Sequence, residues 1–315
     1  MTDRQRVDEE RSLEVLNNIE NVILEIVTCL SKDEAPALVL PNRSSWDNIS
    51  FDSAIGLQMS STSAVMTIRS DCPKTATTLS QILKILSVTY TLVQSNSYAT
   101  KRDIYYNHPQ LFGSQKIVDK IVDDVSCMLK VPRRALRVLA TSKGVISGDL
   151  CYMEEDGTRI DCHSSSAGKG FPDVNSRLMV RKLWDVLHVP VFTLVDADPH
   201  GIEIMCIYKY GSVAMSFEAQ SLTIPSAMWL GLLPSDLERL QVPRSALLPL
   251  TKTDENKLDS LLKRPYVTDQ PEWVKEMALM QKNRLKAEIQ SLAAIGPDFL
   301  TSIYLPNKLR FGGWL

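Results

Sequence analysis

The chain has 315 residues, of which 44% are hydrophobic and 23% are charged, a composition typical of soluble folded proteins and unlike that of disordered or fibrous ones. This length fits two domains better than one. The central apolar run, residues 189–195, is interrupted by a proline and a threonine and is far shorter than the roughly 18 residues that a membrane span needs. The charged N-terminal residues lack the apolar core of a signal peptide. We therefore expect an intracellular protein without a membrane segment.

Positive charge is concentrated in one part of the chain. Residues 76–150 carry ten Lys and Arg against five Asp and no Glu, a net charge of +5, so the rest of the chain carries −7 and the total is −2. A basic module within an acidic chain indicates a local nucleic-acid surface. A solvated charged face has the same composition, and this alternative stays open.

The first predicted element is an amphipathic helix over residues 12–30. Its apolar residues recur at near-heptad spacing until a breaker that starts at Ser31 and ends at Pro36. This stripe could pack on the basic module or on another protein. Residues 41–73 are rich in Ser and Asn and predict loops with a few short strands.

Three helices and a hairpin are predicted next. The helical period returns from Thr77 and again over residues 114–130, and a third helix is predicted from Pro132, because proline is favoured at the first helical position. Glycine-punctuated strand-like pieces follow up to residue 157. This outline predicts a winged-helix domain whose third helix enters the major groove. The residues that we expect to contact DNA are Arg133, Arg134, Arg137 and Lys143.

The second half of the chain predicts an α/β domain. Residues 173–187 predict a helix, residues 189–195 predict a strand of the kind buried in a parallel sheet, and residues 201–210 predict the next helix. The turn after the strand contains Asp196 and Asp198. It lies at the carboxyl end of the strand, where α/β proteins bind their ligands. The chain from residue 235 onward reads as mostly helical.

Two adjacent tyrosines in the basic module could support covalent chemistry. Tyr105 and Tyr106 close the segment Arg-Asp-Ile-Tyr-Tyr, which begins at Arg102. A tyrosine hydroxyl has an ordinary pKa of ~10 and needs help to act as a nucleophile near neutral pH. Arg102 could stabilise phenolate character or the charge that develops on an attacked phosphate. Adjacent tyrosines before a turn are more often packing residues, so the residues alone leave both interpretations open.

Asp196 and Asp198 are candidate ligands of Mg²⁺. Two neighbouring carboxylates repel each other unless a cation or a basic partner occupies the site. Mg²⁺ is commonly held by few carboxylates together with water and phosphate oxygens, and here it would hold a scissile phosphate. The alternative is a helix N-terminus that carries acidic residues because they complement the helix dipole.

Three motifs in the same order resemble one family. They are Arg-Asp-Ile-Tyr-Tyr, Val-Asp-Ala-Asp-Pro-His-Gly and the late segment Leu-Pro-Asn-Lys-Leu-Arg-Phe-Gly-Gly-Trp. They closely resemble the meiotic double-strand-break transesterases, the eukaryotic relatives of the topoisomerase VI A-type proteins, and the likeness runs from about residue 14 onward. The resemblance implies that Tyr106 is the nucleophile and Arg102 its active-site arginine. It implies that Asp196 and Asp198 are the metal-binding residues of a Toprim domain.

The fold class implied by the resemblance is α/β plus winged helix. Residues 1–75 would form an N-terminal helix and linker, residues 76–157 a winged-helix (CAP-like) domain with the tyrosine, and residues 168–315 a truncated Toprim-type α/β domain. The implied function is the formation of meiotic DNA double-strand breaks in the nucleus by topoisomerase-like transesterification with Mg²⁺, which leaves a 5′-phosphotyrosyl link. The implied partners are double-stranded DNA, a second copy of the chain (a homodimer) and an ATP-binding topoisomerase VI B-like protein docked on the N-terminal helix.

The chain departs from the family pattern before residue 168. The family's Toprim domain opens with an apolar strand that ends in a metal-binding glutamate, followed by a helix and a second strand. Here the sequence passes from a hairpin turn with Glu154 and Glu155 through a Ser-rich stretch directly to residues 168–172. Neither glutamate matches the missing ligand. Loss of a central strand exposes the edges and apolar faces of its neighbours, so we expect an impaired metal site.

Different functions are compatible with this pattern. The first is a dimeric DNA transesterase that initiates meiotic recombination. The alternative is a catalytically impaired, shortened isoform that binds DNA or the partner without cutting. A DNA-binding regulator that uses only the winged helix is a third, but such a protein has no need of the Asp-x-Asp pair.

Overall fold

The structure, a computed structural model, describes residues 3–60, 64–139, 148–153, 159–162 and 174–315. The chain forms two compact units. The first unit comprises Met1–Ser50, Met59–Ser142 and Val213–Glu218, and the second comprises Phe51–Gln58, Lys143–Ser212 and Ala219–Leu315. The predicted boundaries at residues 75, 157 and 168 stay predictions.

The chain up to residue 139 is mainly helical. Its elements are α1 (Asp3–Ser31), β1 (Ala37–Pro41), β2 (Ile49–Asp52), β3 (Gly56–Met59), β4 (Val65–Arg69), α2 (Pro73–Gln94), β5 (Ala99–Thr100), α3 (Lys101–Asn107), α4 (Pro109–Phe112), α5 (Gln115–Leu129) and β6 (Val138–Leu139). Strands β1 and β4 pair antiparallel, and β5 and β6 pair parallel. In the described ranges no helix is long and apolar enough to cross a lipid bilayer.

The core of the first unit forms where α1, α2 and α5 pack together. Side chains at helical spacing bury one face of each helix, and Val15, Ile82 and Ile121 are at most 2% exposed. The predicted helices at 12–30, from Thr77 and at 114–130 are confirmed. Helix α2 begins four residues earlier than predicted because Pro73 occupies its first turn, where a missing N–H costs nothing.

The third predicted helix is wrong in type and length. Residues Arg133–Leu136 form a single 3₁₀ turn, preceded by Pro132 in an extended conformation. Arg137 then adopts a left-handed conformation with φ of 58°, which ends the turn. A right-handed helix cannot continue through such a residue. The winged-helix arrangement therefore stays a prediction.

The second part of the chain alternates strands and helices. Its elements are β7 (Cys151–Met153), β8 (Arg159–Asp161), α6 (Val174–Leu187), β9 (Phe192–Leu194), α7 (Pro199–Tyr210), α8 (Ala219–Leu222), β10 (Met228–Gly231), α9 (Pro234–Arg239), β11 (Leu248–Pro249), α10 (Lys252–Leu262), α11 (Pro265–Thr268), α12 (Pro271–Asn283), β12 (Leu285–Lys286) and α13 (Leu305–Phe311). Strands β7 and β8 form the predicted hairpin. Strands β9 and β10 pair parallel, and β11 and β12 pair antiparallel. The mixed α/β content is thus confirmed.

Strand β9 is shorter and more exposed than the sequence predicts. Three residues of the predicted stretch 189–195 are in the strand, and all three are half-buried. Among the described residues, β10 is the strand that pairs with β9. Near the end of α6, Val186 is 66% exposed and Val189 beyond it is 48% exposed. Exposed apolar side chains at these positions are expected where a neighbouring strand is absent.

Candidate active site

The candidate nucleophile lies on α3, whose start is fixed by two reciprocal hydrogen bonds. The backbone N–H of Asp103 donates to the Thr100 hydroxyl at 3.1 Å, and the backbone N–H of Thr100 donates to the Asp103 carboxylate at 2.8 Å. This capping box satisfies two N–H groups that a helix start leaves without partners. The Asp103 carboxyl has a lowered pKa because it accepts hydrogen bonds from the backbone N–H and the side chain of Thr100.

The inner face of α3 is anchored to α5. Ile104 is 3% exposed in the core, and Lys101 is 8% exposed. The Lys101 ammonium lies 3.3 Å from the Asp119 carboxylate and 3.8 Å from that of Asp123. A seven-residue helix is marginal by itself, so these contacts determine which way its outer face points.

The outer face presents Tyr106 and Arg102 together. Both side chains are exposed, Tyr106 by 70%, and residues four apart are neighbours on a helix surface. Tyr105 instead packs partly against the core and directs its hydroxyl at the Gly113 carbonyl, 3.5 Å away. The two rings are 5.6 Å apart. Of the pair, Tyr106 is therefore the more exposed side chain.

The four residues predicted to contact DNA differ in their surroundings. Arg133 is 7% exposed and lies 3.7 Å from a carboxylate of α5. Arg137 donates to the Tyr98 hydroxyl at 2.8 Å and lies 4.8 Å above its ring. Arg134 is exposed, whereas Lys143 lies outside the described residues. Arg134 is therefore the described member of this set whose side chain is open to a phosphate without rearrangement.

The Asp-x-Asp turn lies in the second unit, between β9 and α7. One oxygen of Asp196 accepts from the backbone N–H of Ile289 at 2.8 Å. One oxygen of Asp198 accepts from the N–H of Gly201 at 2.5 Å and so caps α7. Between the two aspartates, Ala197 is fully buried and forms an antiparallel bridge with Ala287. The turn is thus held by a segment almost ninety residues later.

The turn offers part of a metal site. Burial raises the pKa of Asp198, the Gly201 N–H opposes this, and the Asp196 carboxylate raises it further. Each aspartate uses one oxygen in the bonds described above and has a second oxygen available for a cation. Within the described ranges no three His, Cys, Asp or Glu side chains converge to hold a metal ion. A pair of carboxylates suits Mg²⁺, which proteins commonly hold through few carboxylates together with water and phosphate oxygens.

Glu203, on the helix that follows this turn, is paired with two cations. Glu203 forms ion pairs with Lys257 and with Arg264, the latter at 2.7 Å. Although burial would raise the pKa of Glu203, these two cations lower it below its usual value. Glu154 and Glu155 lie outside the described residues.

Sequence reasoning missed a charged group beside the turn. Asp254 on α10 is 3% exposed, and its carboxylate accepts from Lys286 at 2.8 Å. The imidazole of His200 lies 3.7 Å from the same carboxylate. The capping signature Thr-x-x-Asp at Thr251 is visible in the sequence, but the partnership with Lys286, 32 residues away, is not.

Asp254 is expected to make stability depend on pH. Burial would raise its pKa, but the hydrogen bonds from Lys286 and Thr251 outweigh burial and lower the pKa to about 2, below the ordinary 3.8. A carboxyl whose pKa is lower in the folded state than in the unfolded state stabilises the fold at pH values above the unfolded-state pKa. For Asp254 this stabilisation is about 2 kcal/mol, and it is lost as the pH falls toward the folded-state pKa. Roughly half of it should be gone by pH 3.

Urea unfolding of an Asp254→Asn variant at pH 6 and pH 3 measures this contribution. The deficit in unfolding free energy relative to the unaltered chain should shrink at the lower pH. Asp259→Asn, which removes an exposed carboxylate from the same helix, should show no such change. A deficit for Asp254→Asn that is equal at both pH values would contradict the assignment.

Comparison with known proteins identifies the family. A model of the Toprim domain found in Spo11 and the A-type chain of topoisomerase 6 matches residues 166–309, and a model described as type IIB DNA topoisomerase matches residues 77–138. The human protein named "Meiotic recombination protein SPO11" is 54% identical over 353 aligned positions, which cover 96% of this chain and 89% of that protein. The chain belongs to the topoisomerase VI A/Spo11 family.

More distant relatives extend the same picture. The mouse protein of the same name is 52% identical over 96% of this chain and 89% of its own length. The A-type chain of DNA topoisomerase 6 from Arabidopsis thaliana is 31% identical over 96% of this chain and 81% of its own length. The 353 positions aligned with the human and mouse proteins exceed the 315 residues of this chain by 38. At least that many positions of the alignment are therefore gaps in this chain.

Proposed function

We propose that this chain forms DNA double-strand breaks at the start of meiotic recombination, in the nucleus, by topoisomerase-like transesterification. The exposed position of Tyr106 beside Arg102, on a helix anchored from its other face, is the observation that carries the proposal. The names of the human and mouse relatives support the meiotic role. The family match supports the transesterase chemistry.

Tyr106 acts as the nucleophile in this proposal. Its hydroxyl oxygen attacks the phosphorus of a DNA phosphodiester, so that a Tyr–O–P bond forms and the bond from phosphorus to the 3′ oxygen breaks. The phenol proton is lost, and the released 3′ oxygen gains a proton to become a hydroxyl. The protein is left on the 5′ end of the cut strand. Arg102 favours the attack because its charge stabilises both the phenolate and the crowded phosphate.

The Asp-x-Asp turn is the proposed site of Mg²⁺. Asp196 and Asp198 would hold the ion, each through the oxygen that is not bonded to a backbone N–H. When bound, the ion supplies positive charge that neutralises the phosphate group being attacked. Asp198 also fixes the start of α7, so the turn is oriented before any ion arrives.

The proposed assembly contains two copies of the chain on one DNA duplex. Each tyrosine cuts one strand and meets the metal site of the other copy. Arg133, Arg134, Arg137 and Lys143 contact the DNA near the cut. The amphipathic helix α1 receives an ATP-binding topoisomerase VI B-like protein. Its outer side carries exposed apolar groups suited to such an interface, at Leu13, Leu24, Val27 and Leu30.

A specific observation favours a second function for the chain. The chain has 38 fewer residues than the alignment has positions, β9 is half-buried, and the described residues contain no group of three His, Cys, Asp or Glu side chains that could hold a metal ion. A protein with these features could bind DNA or the B-type partner without cutting. This is the alternative of a catalytically impaired, shortened isoform.

Covalent trapping separates the two functions. The purified chain is incubated with Mg²⁺, a duplex labelled at both 3′ ends, and an ATP-binding B-type partner with ATP, and is then denatured in detergent. The labelled strand should migrate with the protein for the unaltered chain and for Tyr105→Phe. It should do so at least ~100-fold less for Tyr106→Phe, since removal of a nucleophile eliminates the covalent step.

Two results would contradict the proposal. One is an adduct that persists in Tyr106→Phe. The other is no adduct from the unaltered chain although it still binds the duplex, a result that favours the non-cutting isoform.

A further inference from the structure

A lysine lies on the same face as the two aspartates of the metal turn. Ala197 and Ala287 form an antiparallel bridge, with the N–H of Ala287 donating to the Ala197 carbonyl at 3.1 Å. Both alanines are at most 1% exposed. Side chains alternate along extended segments, so the neighbours of each alanine share the opposite face. Antiparallel pairing therefore sets Lys286 across from Asp198.

The ammonium of Lys286 is held in place by a buried carboxylate. It donates to the Asp254 carboxylate at 2.8 Å, and that carboxylate is buried and also accepts from the backbone N–H and hydroxyl of Thr251 at 2.9 and 2.7 Å. Lys286 itself remains 20% exposed. An ammonium has three N–H donors, so one bond to Asp254 leaves others for a ligand at the surface.

The bridge between Ala197 and Ala287 places Lys286 beside the metal turn, and the hydrogen bond to Asp254 fixes its ammonium there. A lysine held in this way can donate to an anion bound at the turn.

We infer that Lys286 is a phosphate-binding residue of the Asp-x-Asp site, contacting a non-bridging oxygen of the DNA phosphate that Mg²⁺ holds there. The inference rests on the proposed function and deepens it. Beside the pair, this chain sets a cation that is fixed by Asp254. The missing metal ligand weakens the binding of Mg²⁺, and the contact between Lys286 and the phosphate recovers part of that binding energy. The site therefore binds Mg²⁺ more tightly when DNA is present than when it is absent.

The test measures DNA affinity with and without Mg²⁺ at constant ionic strength, by fluorescence anisotropy of a short labelled duplex. Isothermal titration with Mg²⁺ alone measures the ion's own affinity. Lys286→Met should lose the gain in DNA affinity that Mg²⁺ produces, a change of about tenfold for one charge-assisted hydrogen bond. Lys286→Arg should keep most of it. Lys252→Met, which removes an 82%-exposed ammonium from the same domain, should behave as the unaltered chain does.

A second variant protects the test against misfolding. Lys286→Met leaves Asp254 buried without its cation, which is destabilising. The double variant Lys286→Met with Asp254→Asn removes both charges and keeps an oxygen that can accept from Thr251. Melting curves of both variants establish that they are folded at the assay temperature, and the double variant should lose the Mg²⁺-dependent gain as the single one does.

The outcomes distinguish the inference from the proposed function. If the unaltered chain gains no DNA affinity from Mg²⁺, the proposed metal role and the inference both fail. If it does gain affinity and the folded double variant gains as much, only the inference fails. The inference would also be overturned if Lys286→Met no longer bound Mg²⁺ in the absence of DNA, because the lysine would then support the ion and not the phosphate.

Discussion

Replacing Gly201 with alanine is expected to lower the affinity for Mg²⁺ roughly tenfold or more, as the loss of groups that orient metal ligands commonly does. A Cβ at residue 201 would press against the backbone of Asp196, its distance to the backbone nitrogen being 2.9 Å. Backbone atoms cannot rotate away as a flexible side chain can. The turn must therefore shift, and overpacking of this kind costs about 1–3 kcal/mol of unfolding free energy.

Isothermal titration with Mg²⁺ and urea unfolding measure the two effects. Gly296→Ala is the matched control, because its nearest heavy atom would be the Phe299 Cβ at 3.9 Å, an ordinary contact. That variant should bind Mg²⁺ as the unaltered chain does. Unchanged Mg²⁺ affinity in Gly201→Ala would contradict this prediction, because it would show that the turn tolerates a Cβ at residue 201.

Replacing Lys308 with methionine is expected to destabilise the second unit by about 1–3 kcal/mol, because the buried Asp236 loses one of its two cations and keeps the hydrogen bonds from Arg239 and Tyr304. Lys308 is 4% exposed and lies 3.0 Å from Asp236, which is 1% exposed. The same ammonium donates to the Gly313 carbonyl at 2.6 Å. Just after Gly313, Leu315 exchanges backbone hydrogen bonds with Trp229 of β10, and the ring of Trp314 packs on Phe192 of β9.

The late motif Leu-Pro-Asn-Lys-Leu-Arg-Phe-Gly-Gly-Trp thus has a structural role in this chain. Lys308 joins α13 to Asp236 of α9, and the residues after Gly313 contact β9, which precedes the metal turn, and its neighbour β10. Lys275→Met removes a 76%-exposed lysine 3.6 Å from Glu272 and should cost at most about 1 kcal/mol. Equal losses of unfolding free energy in the two variants, measured by urea denaturation, would refute the buried ion pair as the source of stability.

Local patterns in the sequence were enough to predict most of the helices and the elements that carry the two candidate sites. The apolar period of α5 and the strand-turn-helix signature around Asp198 depend on neighbours within a few residues, and the structure has both elements there. The residues themselves did not show that Tyr105 packs partly against the core while Tyr106 is exposed to solvent. This difference follows from which face of α3 meets the core.

What sequence reasoning missed depends on contacts between distant segments. The bridge from Ala197 to Ala287 and the pairing of Lys286 with Asp254 join residues that no periodicity connects. Pro132 was misread as a first helical residue, whereas it is extended and precedes the 3₁₀ turn. The left-handed Arg137 that stops the turn carries no local signal, since arginine rarely adopts that conformation.

The identity of the tyrosine that becomes bonded to DNA tests the central claim most directly. Protein trapped on DNA is digested with a nuclease and a protease, and the peptide that retains a nucleotide is sequenced by mass spectrometry. We predict that the nucleotide is attached through its 5′ phosphate to Tyr106. A nucleotide on Tyr105, on another residue or on no peptide would contradict the assignment of Tyr106 as the nucleophile.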